Sequence, residues 1–408
     1  MLIPSIDLIG GRAVQMVGGR DVVLERDDVR ALAEQFRVFG DIAVVDIDAA
    51  RGTGDNSAIV ADLCGIARCR VGGGVRSVGK AEQLIRSGAS RVVVGTAAGE
   101  ALLGALPAGK VLVAVDFEDG KVLERGWTSS TREAPLDRIR RFEGLCSGFL
   151  VTDVSREGRM CGFDAGLVSE LRAAARSEIV YAGGVSTPSE VAELDRMGVN
   201  AQVGMALYSG QIDPCSAFLG CLDFGESGIL PCIVQDRQGR VRMLAWQTPE
   251  SLRLALEERK GVYYSRSRRS AWRKGETSGN TQDLVRVDVD CDRDALLFTV
   301  DCAGPVCHTG SASCFGEIGF ALGDLHELVC RRMAVPEAGS YTSSLLSDCR
   351  LLGDKILEEA GEVVEASSGD DLVWESADLL YFLMVRMAGG GVTMERVLAE
   401  LGRRRSSR

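Results

Sequence analysis

Residues 71–77 read Val-Gly-Gly-Gly-Val-Arg-Ser, and residues 182–186 read Ala-Gly-Gly-Val-Ser. Gly73-Gly74-Val75 therefore returns as Gly183-Gly184-Val185, at an offset of 110 residues. Other features keep that spacing. Leu84 and Gly88 match Leu194 and Gly198 at 110, while Val94-Gly95 matches Val203-Gly204 and Ile6-Asp7 matches Val115-Asp116 at 109. Around these markers run β-branched stretches: Ile42–Asp48, Arg91–Gly95, Val111–Asp116, Gly148–Asp153, Ile179–Ala182 and Ala201–Val203. They alternate with helical patterns such as Val78–Ser87, the βα rhythm of a parallel sheet. A glycine pair alone marks a tight βα turn in any α/β protein, but equal spacing of four features is the mark of a duplication. Two copies of four βα units predict a (β/α)8 TIM barrel over residues 1–213.

The whole chain has 408 residues, too many for one ordinary domain. Apolar residues make up 46% and charged residues 26%, the balance of a soluble globular protein. No apolar run is long enough to span a membrane. The opening MLIPSIDLIGG lacks a basic n-region and reads as a strand, so a cytoplasmic location is expected. A net charge of −11 argues against a general nucleic-acid binder. Histidine occurs twice, at His308 and His326, so the chemistry has to rest mainly on carboxylates and cysteines. The 13 cysteines read as reduced thiols, with Cys64, Cys69, Cys146 and Cys161 as core filler.

Beyond the barrel the rhythm changes. Residues 214–228, opening on Pro214 after Asp213 and with glycines within, read as a linker. Residues 229–316 read as α+β, and 317–408 as all-helical.

In the barrel, Asp7 and Asp116 end strands in opposite halves and so face one catalytic mouth. Gly73, Gly74 and Gly95 in one half, and Gly183, Gly184 and Gly204 in the other, let backbone amides approach a phosphate. Two cradles flanking two carboxylates imply an elongated substrate with a phosphate at each end, and proton transfer between an acid and a base.

The middle segment reads VDVDCDRDALLFTVDCAGPVCHTGSASCF. In an extended strand Asp290, Asp292 and Asp294 share one face and Cys291 points to the other. The first set suits Mg²⁺. Cys291, Cys307 and Cys314 suit zinc with an open position for water, and His308 is placed to act as base or to position that water. The basic run Arg259–Lys274, interleaved with Tyr263, Tyr264 and Trp272, allows RNA binding or the handling of a substrate phosphate and base; its confinement to one loop of an acidic protein favours the second. In the last segment Glu359 and Glu362 are three apart on one helix, Glu375 and Asp378 three apart on the next, an arrangement that can hold Mg²⁺ inside a bundle. His326 reads as an incidental helix-surface residue.

These stretches resemble known families. IPSIDL, VGGGVRS, VVVGTAA, RGW, VTDVSREG, AGGVS and VGMALY look like the histidine-pathway isomerase acting on phosphoribosylformimino-aminoimidazole carboxamide ribotide. That resemblance makes Asp7 the general base and Asp116 the acid of an Amadori rearrangement, with no cofactor. It makes Thr152 a supporting residue and Trp127 a mobile-loop residue that packs on substrate, and it places Arg76 and Thr96 beside the phosphate cradle. Gln15 stands where that family usually has Arg, and Glu157-Gly158-Arg159 where it has Asp-Gly-Thr. The alternatives are a barrel that only binds, or one that also isomerises phosphoribosylanthranilate. LPCIVQD, YYSRSRRSAWRKGETSGN, DCDRDALL and GPVCHTGSASCF resemble phosphoribosyl-AMP cyclohydrolase, which implies zinc on the three cysteines and Mg²⁺ on the aspartates. PEAGSYTSSLL, EEAGEVVEA and ESADLLYFL resemble the MazG-like phosphoribosyl-ATP pyrophosphohydrolase, which implies Mg²⁺; that family often has His where Phe382 stands. Together they imply a trifunctional enzyme of histidine biosynthesis acting on small phosphoribosyl nucleotides, and a homodimer through the C-terminal domains.

Overall fold

The structure, a computed structural model, describes residues 1–316, 319–336 and 339–406. They form two compact units, residues 1–317 and 318–408. The expected start of the last domain, residue 317, lies outside the described residues, as do Glu337 and Ala338 of the PEAGSYTSSLL stretch.

Eight parallel strands close a ring: β1 (Leu2–Ile9), β2 (Ile42–Asp46), β3 (Cys69–Gly72), β4 (Arg91–Val94), β5 (Val111–Glu118), β6 (Gly148–Asp153), β7 (Glu178–Ala182) and β8 (Asn200–Val203). Closure comes from β8 pairing with β1 through Leu2 and Ala201. The expected barrel is present. A hairpin, Arg12–Val17 and Asp21–Arg26, extends β1 beyond the ring.

Strand alternation sorts the side chains. Along β1, Ile6 and Leu8 pack outward against the helices. Ile3 joins Ala43, Leu150, Val180 and Ala182 in a small separate core inside the ring. Ser5 and Asp7, in phase with Ile3, rise from that plug to line the cavity. On β5 Val111, Val113 and Val115 face outward, so Ala114 and Asp116 face in.

The duplication extends to the turns. Gly73 has φ +100° and a Cβ there would stand 2.1 Å from the Asp46 carbonyl oxygen; Gly183 has φ +101° and the same clash, at 2.4 Å, with that of Asp153. Only glycine fits either position. The helix after each turn is capped alike, Ser77 accepting from the Lys80 N–H and Thr187 from that of Glu190.

The 214–228 stretch is not a free tether. Its first part forms the helix Pro214–Leu219, capped by Asp213 and opened by Pro214. Cys215 and Phe218 bury into one core with Val38 and Phe39 of the barrel and with Leu230, Phe298 and Tyr263. Ion pairs reinforce the seam: Arg253 with Asp213, and Arg68 with both Asp41 and Asp288. The second sheet runs in the order Val241–Gln247, Leu230–Gln235, Leu296–Cys302, Gln282–Val289, with a small hairpin Val262–Ser265/Ser270–Arg273 beside it.

The other unit is helical: Leu322–Ala334, Tyr341–Ser347, Cys349–Glu365, Gly369–Gly389 and Met394–Ser406. Asp348 and Ser368 cap the two long helices, which pack around Val329, Leu345, Leu352, Phe382 and Val385. Phe382 is 5% exposed and meets Tyr341 and Tyr381 edge-on, a core role. His326 also departs from expectation: it is buried, and its Nε2 lies 3.0 Å from the Val392 carbonyl oxygen. A carbonyl only accepts, so Nε2 donates, tying the first helix to the turn before the last. Among the described residues no helix is long and apolar enough to cross a membrane.

Candidate active sites

The barrel mouth opens on a cavity of about 910 Å³ lined from both halves. Asp7 and Asp116 stand on β1 and β5, four places apart in a ring of eight and therefore opposite one another. Gly73, Gly74, Arg76, Gly95 and Thr96 line one half, and Thr152, Gly183, Gly184 and Gly204 the other. Trp127 joins them.

Burial drives the electrostatics. Asp7 is pushed up to about 6 by loss of water, which a 2.8 Å bond from the Ser5 hydroxyl partly offsets. A carboxylate poised there is ionised at neutral pH yet basic enough to take a proton. Asp116 is also raised by burial, against hydrogen bonds from Trp127 and Thr152. Thr152 is its register partner on β6. The loop carrying Trp127 holds three successive left-handed residues, Arg125, Gly126 and Trp127 at φ +55°, +63° and +66°. It is pinned by the Arg125 N–H on the Thr96 hydroxyl at 2.8 Å. The Trp127 ring lies against Gly19, where a Cβ would stand 2.3 Å from it.

Glu157 appears in the sequence only as a departure from a motif, yet it lines this cavity. Burial first, then the charges of Asp7, Asp116 and Asp153, push it up to about 8. The folded chain therefore holds this proton more tightly than the unfolded chain. Stability is lost as pH rises from 4.5 through about 8. Glu157→Gln, isosteric with the protonated acid, is expected to remove that loss. Thermal midpoints of variant and wild type should agree at acid pH and separate in the variant's favour above neutrality; parallel curves would count against it. Gln15 is 2% exposed and lies against Gly204, its side-chain nitrogen buried without a hydrogen-bond partner.

In the second sheet, Asp290, Asp292 and Asp294 gather their carboxylates within 4.8 Å of one another. They do so at a bend between strands that end at Val289 and restart at Leu296, not along an extended strand. The bend is closed by the N–H groups of Asp294 and Ala295 on one Asp290 oxygen, at 3.0 and 3.1 Å. Asp294 is raised by the charge of Asp292 beside it. Three crowded carboxylates are a donor set that fits a hard cation.

The thiols behave differently. Cys307 and Cys314 meet, the first lowered by the Thr309 hydroxyl and amide, the second raised by burial and by Cys307. Cys291 is exposed and forms no compact metal-ligand group with them among the described residues. Cys307 and Cys314 are thus the two thiols brought together within one chain. His308 is exposed, with Nδ1 3.8 Å from the Cys307 sulfur. In the basic run, Tyr263 is fully buried and Trp272 packs on it. Arg273 pairs with Glu258 and Lys260 with Asp283. Tyr263 belongs to the core, and Trp272 packs partly buried against it.

In the helical unit, Glu359, Glu375 and Asp378 bring their carboxylates within 4.8 Å. Glu359 is only 7% exposed, and burial followed by Glu362 and Asp378 raises it. Glu362 is exposed and stands outside the trio, against Glu375. Two facing helices with i, i+3 carboxylates again fit a hard cation.

The folds and sites define a TIM barrel with a glycine turn in each half of its mouth, fused to an α+β module and a helical module, each of the last two with a carboxylate cluster. Comparison with known families gives matches in that order. Residues 1–213 match the family described as histidine biosynthesis protein, 243–316 phosphoribosyl-AMP cyclohydrolase, and 322–405 phosphoribosyl-ATP pyrophosphohydrolase. The chain belongs to the histidine biosynthesis protein family, whose match covers more than half of it, and to that of the bifunctional histidine biosynthesis proteins HisIE. The HisIE protein of Caldanaerobacter subterraneus is 45% identical over 199 residues, 45% of this chain and 96% of the relative. That of Bacillus subtilis is 41% identical over 203 residues, 45% of this chain and 95% of the relative. The histidine biosynthesis trifunctional protein of Kluyveromyces lactis is 44% identical over 172 residues, 42% of this chain. That match spans only 22% of the relative's length.

Proposed function

We propose that the chain carries three successive activities of histidine biosynthesis. The helical module, residues 317–408, hydrolyses phosphoribosyl-ATP to phosphoribosyl-AMP and pyrophosphate. The α+β module, residues 229–316, opens the adenine ring by hydrolysis. The barrel, residues 1–213, isomerises the resulting aminoaldose ribotide by an Amadori rearrangement. The observation that carries this reading is the barrel cavity. It sets two carboxylates on opposite strands, with a glycine turn in each half of the mouth. The adjoining family matches name the other two steps.

In the barrel, Asp7 removes the C2 proton and Asp116, whose carboxyl burial pushes up, donates to the ring oxygen as the ribose opens. Gly73, Gly74, Arg76, Gly95 and Thr96 receive one phosphate; Gly183, Gly184 and Gly204 receive the other. Trp127 and Thr152 hold Asp116 and cover the substrate. In the α+β module Asp290, Asp292 and Asp294 would hold Mg²⁺, and Cys307, Cys314 and Cys291 zinc. The chain is read as a homodimer through its C-terminal domains. Bound zinc would make hydroxide available near neutral pH; His308 positions the attacking water. In the helical module Glu359, Glu375 and Asp378, with Glu362 beside them, would hold Mg²⁺ against the triphosphate. No nucleic-acid or membrane partner is proposed, and the location is cytoplasmic.

The neutral Gln15 and the protonated Glu157 favour a second reading, a barrel that binds without turnover. The deciding experiment supplies purified protein with the aminoaldose ribotide alone. Appearance of the ketose isomer, abolished by Asp116→Asn, supports the isomerase; binding without product supports the second reading.

A further inference from the structure

The bend that carries Asp290, Asp292 and Asp294 is held by a residue of the opposite charge placed between two of them. Arg293 turns away from the carboxylates and reaches the barrel. Its Nε and Nη2 donate to the two oxygens of Asp195, at 3.1 and 2.9 Å. Asp195 belongs to the barrel helix Pro188–Arg196 and its side chain is 6% exposed. The third nitrogen, Nη1, donates to the Asp290 carbonyl at 3.0 Å. The Arg293 carbonyl accepts the Asp223 N–H at 3.0 Å. Arg293 has φ +71°, a left-handed conformation costly for a residue with a side chain and one that persists where surrounding contacts impose it.

We infer that Arg293 is a positioning residue: it fixes the three-aspartate bend in its cation-binding shape by anchoring it to the barrel. The inference rests on the reading of that bend as a divalent-cation site. One guanidinium fork spans the bend's own backbone and a buried carboxylate of another domain, so the bend's shape is set from outside the sheet that bears it. A planar bidentate pair of this kind fixes orientation as well as distance. Groups that orient metal ligands without touching the metal are worth roughly 10- to 100-fold in affinity. The barrel is then a structural part of the neighbouring site as well as the bearer of its own.

The test uses the full chain with Glu375→Gln and Asp378→Asn, which silence the helical cluster, and Mn²⁺ as probe, with free ion read by electron paramagnetic resonance. Asp292→Asn in that background should abolish the remaining tight binding. If it does not, the cation reading fails and the inference falls with it. Given that control, Arg293→Gln and Asp195→Asn should each weaken Mn²⁺ binding about tenfold. The double variant should lose no more than Arg293→Gln alone, because that variant already breaks the contact with Asp195. Asp195→Asn keeps Arg293 in place and serves alone should Arg293→Gln yield little folded protein. Wild-type Mn²⁺ affinity in either variant, or additive losses in the double, overturns the positioning role while leaving the cation site standing.

Discussion

Asp7→Asn should lower isomerisation by the barrel roughly 10²- to 10⁴-fold, the range lost with a positioned general base, while ring opening and pyrophosphate release continue. The side chain keeps its shape, so the loss tests proton transfer and not packing. Asp7 is the inward residue at the end of β1, raised to about 6 because burial disfavours its charge. An amide cannot take the proton at any pH. The wild-type rate should therefore fall below about pH 6, as Asp7 becomes protonated, and the residual rate of the variant should lack that limb. The assay is turnover of supplied aminoaldose ribotide across pH. A variant within a few-fold of wild type would remove Asp7 from the mechanism.

Cys307→Ala should abolish ring opening and the zinc content of the purified chain together, leaving the isomerase and pyrophosphohydrolase rates intact. Cys307 is the thiol that its surroundings favour as thiolate, with the Thr309 hydroxyl 3.1 Å from its sulfur. Thiolate is the form that ligates metal. Removal of Cys307 leaves Cys314 without its neighbouring thiol. Zinc is read by mass spectrometry of the native protein and ring opening by the change in ultraviolet absorption. Full zinc content in the variant would place the metal elsewhere; full zinc loss with undiminished ring opening would separate the thiols from the reaction.

The barrel was legible because its repeat is periodic and its constraints are local. Gly73 and Gly183 are forced by a positive φ and a carbonyl beneath them, so the offset of 110 residues marks structure and not composition. Asp7 and Asp116 follow from alternation along their strands. Legibility fails where placement depends on a distant partner. The role of Glu157 rests on its distance from two strands remote in sequence. The alternation rule grouped Asp290, Asp292 and Asp294 correctly but for the wrong reason, since a bend gathers them. It also put Cys291 with Cys307 and Cys314, a set that does not gather into one compact ligand group among the described residues. His326 sits on a helix whose exposed face seemed its place, but tertiary packing turned it to the Val392 carbonyl. The 214–228 stretch carries turn residues, and only the apolar Cys215 and Phe218 signal that it packs.

The most direct measurement of the three-activity account supplies the purified full chain with phosphoribosyl-ATP, Mg²⁺ and Zn²⁺, and follows products by mass and absorbance over time. The account predicts pyrophosphate first, then the ring-opened aminoaldose ribotide, then its ketose isomer, all from one polypeptide. Accumulation of the ring-opened aminoaldose, with no ketose formed, would contradict it and leave the barrel a binding domain.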